Sequence, residues 1–317
     1  MDNASESSDL DREVDESMRM FQRSQVGESA PITPIRPSRV LLVLDGSSQD
    51  ETSIRSASHL RDRFDVETLL LDARETAQQD EHDLAVERAA EVSGGRPIAR
   101  KEGASYDAIL AALDEHDVDI VIVPCPFGRS FVEVGSDSAG TVIDVLLSRC
   151  GKPMLVTRRD DQALGDCVGQ VSLLVGGECD VESRAAAWVF GLAGEHAEIT
   201  LNLVMDKEQF ENIRSIVEAL TPNAMLDSKQ FAEALTKTHH VIHGAMAKTA
   251  SQQGLNYRLL PQAGEVAPPN PLHSTHMMLL VMPLEVDDRF GQGFVQDRIR
   301  RSPHPVLIVP GHVQHPT

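Results

Sequence analysis

The chain has 317 residues, enough for two domains of ordinary size that each bury a core of their own. Hydrophobic residues make up 41% and charged residues 25%, the balance of a globular protein, and the formal charge is −20 at pH 7. So acidic a chain argues against nucleic acid or an anionic membrane as a partner, since both call for a basic surface. No apolar run is long enough to cross a bilayer and no apolar signal core opens the chain, so a cytoplasmic location is expected. Four cysteines (Cys125, Cys150, Cys167, Cys179) lack CxxC spacing and read as reduced, packed thiols.

Residues 1–37 are polar, acidic and poor in aromatics, and they close on PITPIRPS. Such a segment buries too little apolar surface to offset the entropy of ordering, so a flexible acidic tail is expected. Within it, residues 17–25 (SMRMFQRSQ) read as solvated chain, with a transient helix or docking peptide as the other reading. From Arg39 the pattern alternates. RVLLVL reads as a strand, DETSIRSASHLRDRF as a helix and VETLLLDA as a second strand. DEHDLAVERAAEVSGG reads as a helix ending on a Gly pair suited to a C-cap, and RPIARKEG as a short edge strand. YDAILAALDEHD follows as a third helix and DIVIVP as a fourth strand. A Gly/Ser-rich loop, the helix TVIDVLLSRCG and the strand PMLVT close this half. Strands alternating with helices imply right-handed βαβ units and a parallel sheet covered on both faces. Unbroken runs such as VLLVL and IVIV fit strands buried on both sides.

The second half repeats the first. QVSLLVGGECDVESRAAAWVFGLA aligns with RVLLVLDGSSQDETSIRSASHL at a constant offset of 131 residues, which sets Gly176 against Asp45 and Gly177 against Gly46. AEITLNLVM, NYRLLP, HMMLLVMP and HPVLIVP read as its strands. KEQFENIRSIVEAL, the run KQFAEALTKTHHVIHGAMAKTASQQG and VQDRIRRS read as its helices. After its fourth strand the loop reads LEVDDRFGQGFVQD. No glycine directly follows the strand, and Glu285, Asp287 and Asp288 are acidic, so this copy reads as non-binding. The domains expected are a tail at 1–37, a first unit at 38–160 that carries the candidate site, and a degenerate second unit at 161–317.

The chemistry is concentrated between Val118 and Thr157. Gly residues let a backbone approach a ligand, and the N–H groups that open the helix at Gly140-Thr141 face whatever fills the loop, which suits an anion such as phosphate. Asp45 ends the first strand where a parallel sheet sets it beside that loop, and a carboxylate there can bind ribose hydroxyls. Arg129 can pair with phosphate oxygens, and Thr141 can donate its hydroxyl or cap the helix. The plainer readings stand beside these: Asp45-Gly46 as turn chemistry, Gly140-Thr141 as a mere helix start.

These residues resemble the universal stress protein family. Its signature runs glycine, two residues, glycine, nine residues, then Gly-Ser or Gly-Thr, between the fourth strand and the last helix. Gly128 matches the second glycine and Gly140-Thr141 the closing pair. RVLLVLDGSSQDETSIRSA is similar to the family's first strand and helix, with Asp45 at its adenosine-binding acid. The resemblance spans roughly residues 38 to 158. The chain departs from the pattern in two places: Cys125 replaces the first glycine, and eleven residues separate Gly128 from Gly140. Glu133 and Asp137 in that loop oppose a triphosphate, with Arg129 in favour. The resemblance implies a tandem pair of doubly wound, five-stranded α/β sheets of adenine nucleotide alpha-hydrolase-like topology. It implies ATP or another adenine nucleotide as ligand, with or without magnesium, in the first unit. It further implicates Val43, Pro124, Cys125 and Val142 as backbone lining and Leu70 as an adenine contact. Family members pair through their last strands, so PMLVT and PVLIV are expected to pair within the chain as an internal pseudo-dimer; a homodimer remains open.

Cys125 reads as a small residue standing in for glycine, or as a redox-sensitive thiol if a helix N-terminus lowers its pKa. His239 and His243 are spaced one helical turn apart, and His273, His276, His312 and His315 lie elsewhere in the half. They read as surface histidines, and no metal site is assigned. No GxSxG, HExxH or Walker lysine loop occurs, so at most slow, incidental ATP hydrolysis is expected. Two further readings remain. One is a scaffold that has lost nucleotide binding and meets a protein partner through its tail or acidic surface. The other is an adenylating enzyme of the same topology, against which the acidic loop DGSSQDE counts.

Overall fold

Two unbroken apolar runs build the centre of the first half. Val40 to Val43 of β1 (Arg39–Leu44) and Ile120 to Val123 of β4 (Ile120–Pro124) are fully buried, because helices lie on both faces of the strands they form. The computed structural model describes residues 29–75, 79–129, 139–158, 162–176, 181–205, 207–220, 228–263, 277–285 and 288–311. Residues 1–28, Glu133, Asp137, Gly177, Cys179, His273, His276, Asp287, His312 and His315 lie outside them.

After β1 come α1 (Gln49–Phe64), β2 (Glu67–Asp72), α2 (Gln79–Ser93), β3 (Arg96–Pro97) and α3 (Ser105–Glu115), then β4, α4 (Thr141–Arg149) and β5 (Met154–Thr157). The second half holds α5 (Leu164–Cys167), β6 (Gln170–Val175), α6 (Glu182–Leu192), β7 (Glu198–Met205), α7 (Lys207–Leu220), α8 (Ser228–Thr238), α9 (His240–Gln253), β8 (Asn256–Ala263), β9 (Leu279–Leu284), α10 (Arg289–Arg301) and β10 (Val306–Pro310). The ten strands form one sheet in the order β3-β2-β1-β4-β5-β10-β9-β6-β7-β8. Within each half the pairings are parallel, and the halves join where β5 and β10 run antiparallel, with Val156 opposite Val306 and Leu155 opposite Leu307. The pairing expected between PMLVT and PVLIV is therefore present. It removes two sheet edges and carries both core layers across the seam: Leu155 and Leu307 pack on one face, Val156 and Val306 on the other.

The expected edge strand over residues 96–103 is cut to Arg96–Pro97, as suits an edge that contains a proline. The long helical run predicted after Lys229 breaks at His239, whose backbone leaves helical geometry (φ −94°, ψ 23°) as its buried ring meets Glu182 (Nδ1–Oε1 3.2 Å). One face of β6–β8 also departs from a sheet covered on both sides. Ser172, Thr200 and Arg258 lie in register across it, and no helix among the described residues connects β8 to β9. At the 131-residue offset Ser172 and Thr200 match Leu41 and Leu69, which in the first half join the core layer containing Ile109 and Leu113 of α3. A cavity of about 70 Å³ opens on the polar face, lined in part by Asn202, whose buried Oδ1 accepts no hydrogen bond from the described residues. No helix among the described residues is long and apolar enough to cross a membrane.

Residues 29–37, predicted as the end of a flexible tail, lie across the second half before the chain enters β1. Ile35 donates its N–H to the Ala187 carbonyl (3.0 Å) and Ile32 donates its own to Thr249 Oγ1 (2.8 Å). Both isoleucines pack against the core layer that holds α6 and α9, which gives this short stretch the apolar burial its composition obscures. Gly191 makes the approach possible: an added Cβ would collide with the Ile35 carbonyl oxygen. Arg63 of α1 grips the same helix from the other half, donating to the Leu192 and Ala193 carbonyls at the C-terminal end of α6. Gly191→Ala is expected to lower the melting temperature by several degrees and to accelerate amide exchange at Ile35 at least tenfold, because overpacking against backbone costs about 1–3 kcal/mol. Unchanged exchange at Ile35 would show that the strap is not held there.

Candidate functional site

The sheet order fixes where a ligand crevice lies. From β1 the chain moves outward to β2 and β3, then returns to β4 on the other side of β1, so β1 and β4 flank a topological switch point. The loops leaving their C-terminal ends diverge, and between them stand Asp45 and the segment 125–129. Asp45 is buried and accepts two backbone hydrogen bonds: from Ser47 N–H at Oδ1 (2.8 Å) and from Gly128 N–H at Oδ2 (2.6 Å). Gly128 has φ +66°, a left-handed conformation that disfavours other residues, and among the described residues no atom beyond its chain neighbours lies within 4 Å of where a Cβ would be. The structure thus brings Asp45 and Gly128 into direct contact.

A second carboxylate joins them. Asp50, in the first turn of α1, accepts the Asp45 N–H at Oδ1 (3.0 Å) and the Gly46 N–H at Oδ2 (2.9 Å). Burial, reinforced by the charge of Asp45, pushes its carboxyl up to about 8, while the two amide donors pull the other way. Sequence reasoning passed over Asp50. Its signal was an acid in the first helical turn, one turn beyond an Asp-Gly strand end.

The remaining predicted residues are spread around this contact. Pro124 ends β4, opposite Thr157 of β5. Cys125 follows in a cis peptide with Pro126 and is fully buried, with its Sγ 3.4 Å from the Ala139 carbonyl. Burial pushes its thiol up to about 11, so it fills space as a small residue and is no activated thiolate. Gly140 (φ +82°) precedes α4, and a Cβ there would sit 3.7 Å from the Phe127 nitrogen, which brings both ends of the loop together. Arg129 and Thr141 are exposed; Val142 is half-buried against the core. Val43 and Leu70 are fully buried. Leu70 lies mid-strand beneath Gly95, where an added Cβ would meet its Cγ at 2.8 Å, two residues short of the end of β2.

On the outer side of the β1–α1 connection a cavity of about 440 Å³ opens, lined among others by Gly46, Ser47, Asp50, Ile54, Arg74 and Arg88. Arg74 lies over Gly46 and is clamped by the buried Asp72 (Nε–Oδ1 3.0 Å, Nη2–Oδ2 2.5 Å). Asp72 is itself a strand-end carboxylate, opposite Leu44 in register. The motif LLLDAR could have disclosed that pair.

The second half differs at the matching place. Gly176 stands where the first half has Asp45, and a Cβ on it would meet ring carbons of Phe294 at 3.1–3.4 Å. The Arg298 guanidinium lies 4.9 Å from that ring's centre, over the ring. Asp288 opens α10 by accepting the Gln292 N–H at its backbone carbonyl (2.9 Å). The two histidines set one turn apart have separate partners: His239 meets Glu182, and His243 meets the Tyr257 hydroxyl (2.8 Å). No group of three or more metal-ligating side chains occurs among the described residues.

No protein-family model matches the chain, and no curated protein matches it in sequence. Solved structures do. A universal stress protein from Archaeoglobus fulgidus DSM 4304 superposes with a TM-score of 0.53 at 14% identity, over 87% of this chain and 97% of its own. A functionally unknown protein from Pseudomonas aeruginosa PAO1 gives 0.55, also at 14% identity, over 87% and 93%. The likeness is one of fold. It extends over both halves, and it places the Asp45–Gly128 contact in a fold shared with a universal stress protein.

Asp50 makes the crevice sensitive to pH. A carboxyl held near 8 when folded, against about 4 when unfolded, keeps a proton that the unfolded chain has released, so its contribution falls as pH rises from about 4 to about 8. Asp50→Asn removes that loss. The melting temperature of the variant relative to the wild type is expected to rise by a few degrees between pH 5 and pH 8. A constant difference across that range would show that Asp50 titrates as an ordinary surface acid.

Proposed function

We propose that the first half binds an adenine nucleotide, ATP or another, with or without magnesium, at the β1/β4 switch point, and that the protein acts as a ligand-responsive regulatory module of the universal stress type. The observation that carries this reading is the Asp45–Gly128 contact. A carboxylate able to hold ribose hydroxyls and a glycine amide able to hold a phosphate meet across the crevice where α/β sheets bind ligands. The neighbouring cavity of about 440 Å³ has the volume of a small-molecule site, and its rim offers both signs of charge in Arg74, Arg88 and Glu51. The second half takes no part in nucleotide binding in this reading, since Phe294 fills the space beside Gly176. The reading keeps the domain units of the sequence, with the strap at residues 29–37 as the link between the acidic tail and the second half. Hydrolysis would be slow and incidental in this reading, with all four oxygens of Asp45 and Asp50 engaged by backbone N–H groups.

The same internal satisfaction favours a second reading, in which the fold serves as a scaffold for a protein partner and takes no nucleotide. Thermal shift separates the two. A ligand that binds only the folded state stabilises it by about 2.7 kcal/mol at a concentration one hundred times its Kd. ATP with magnesium, or AMP, is expected to raise the melting temperature of the full-length protein. ATP should exceed tripolyphosphate in the wild type and lose that advantage in Asp45→Ala, because the adenosine contact is gone. No shift with any nucleotide at millimolar concentration would leave the scaffold.

A further inference from the structure

Four backbone amides that face this crevice already have carboxylate acceptors. The N–H groups of Asp45 and Gly46 point at the two oxygens of Asp50, and those of Ser47 and Gly128 point at the two oxygens of Asp45. Three of these bonds lie within one loop and its helix. The fourth is different in kind: it crosses the switch point and joins residues 83 apart in sequence, at 2.6 Å, the shortest of the set. A bond between an ionised carboxylate and an amide is stronger than one between neutral groups, and this one joins the β1–α1 connection to the loop that follows β4. Gly128 is exposed, and among the described residues no atom beyond its chain neighbours comes within 4 Å of where a Cβ on it would stand. Behind it Cys125 is anchored, with its N–H on the Thr157 carbonyl (2.9 Å) and its sulfur against Ala139. The described part of the loop is therefore fixed at its root by Cys125 and by Phe127, which packs against the core, and at Gly128 it is tied to the end of β1 by the Asp45 carboxylate.

We propose that the Asp45–Gly128 hydrogen bond is a latch: in the ligand-free protein Asp45 occupies the loop amide that an anionic ligand requires, and entry of a phosphate demands that the two separate. The inference rests on the nucleotide reading of this crevice and adds its regulation. Asp45 then has two partners that exclude each other. Without ligand it holds Gly128; with a nucleoside phosphate bound it turns to the ribose hydroxyls and frees the amide for phosphate. A polyphosphate without a ribose gives Asp45 nothing in exchange. It must break the latch and also face the carboxylate's charge, so the wild type discriminates against bare polyphosphate.

The prediction has a sign opposite to that of an ordinary binding residue. In the full-length protein, Asp45→Ala is expected to bind inorganic tripolyphosphate more tightly than the wild type, by about ten- to hundredfold from the loss of a charge-assisted bond and of a repulsion. Calorimetry or a thermal-shift titration reads this directly. Without any ligand, amide exchange at Gly128, followed by NMR, is expected to accelerate about tenfold or more in the same variant. Asp45→Asn keeps the shape of the side chain and guards against misfolding; it should bind tripolyphosphate with intermediate affinity and show intermediate exchange. Unchanged exchange at Gly128 in a folded variant overturns the latch. So does exchange that accelerates while tripolyphosphate affinity stays at or below the wild-type value. Both outcomes leave ATP binding by the wild type intact as a separate result, whereas failure of the nucleotide reading appears as no ATP shift in the wild type.

Discussion

The antiparallel pairing of β5 with β10 is the constraint from which the rest of the molecule follows. Each half alone is a five-stranded parallel sheet with an exposed edge, and edges of that kind recruit other chains. Joined, they form one sheet with continuous core layers on both faces. Because the join is antiparallel, the C-terminal strand ends of the two halves point to opposite edges of the sheet. The switch-point crevice with Asp45 and its counterpart at Gly176 therefore open in opposite directions. The seam is reinforced away from the strands. Arg55 pairs with Asp166 across α1 and α5 (2.5 Å), Arg63 caps the end of α6, and the strap at Ile32 and Ile35 lies on α6 and α9 before β1 begins. The pair at Arg55 is half-exposed and adds little stability, so the apolar contacts of the strap and the seam strands hold the arrangement.

Within that frame the crevice shows how a site can be assembled and still be self-contained. Buried acids are tolerated only where donors satisfy them. Asp45 and Asp50 meet the condition by accepting four backbone N–H groups, those of Asp45, Gly46, Ser47 and Gly128. Their closeness has a consequence for charge: burial and the Asp45 carboxylate together push Asp50 up to about 8, so the pair resists carrying two full charges at neutral pH. A ligand that draws Asp45 away changes the surroundings of Asp50 too. Occupancy and protonation are then linked through a single side chain.

Much of this was legible in the sequence, and the rest was not for identifiable reasons. Strands such as RVLLVL and IVIVP were plain because a strand buried on both faces has no polar positions to blur it. The offset that sets Gly176 against Asp45 marks the asymmetry of the halves in the sequence itself. The β5–β10 pairing came from a family likeness and could not have come from the strands themselves, since apolar edges do not name their partners. Three features were hidden. The strap looks like tail because two isoleucines among prolines carry little signal, and only Gly191, far along the chain, receives them. The break at His239 depends on Glu182, a contact no helical periodicity contains. Asp50 and Arg74 escaped because a motif reading attends to strand ends and glycines, whereas these residues act on the backbone around them.

The two halves differ by substitutions that reinforce one another. Replacing the carboxylate at the end of β1 by a glycine removes a ligand contact and also opens space, and a space at a buried strand end is costly unless filled. Phe294 fills it in the second half, under the Arg298 guanidinium, and once an aromatic ring is there a Cβ at Gly176 has no room. Loss of the carboxylate and gain of the ring are then one packing event, and reversal needs both positions to change together. The helix that carries the ring does more than close its own crevice. From Phe294, α10 runs to Ile299, whose carbonyl accepts a bond from the buried Arg158, and Arg158 in turn lies 3.8 Å from the sulfur of Cys125 at the root of the first-half loop. Movement of that loop would meet α10 through this arginine. Under the proposed reading the second half is thus positioned to register the state of the first, with a closed crevice at one end of the same helix and the working one at the other.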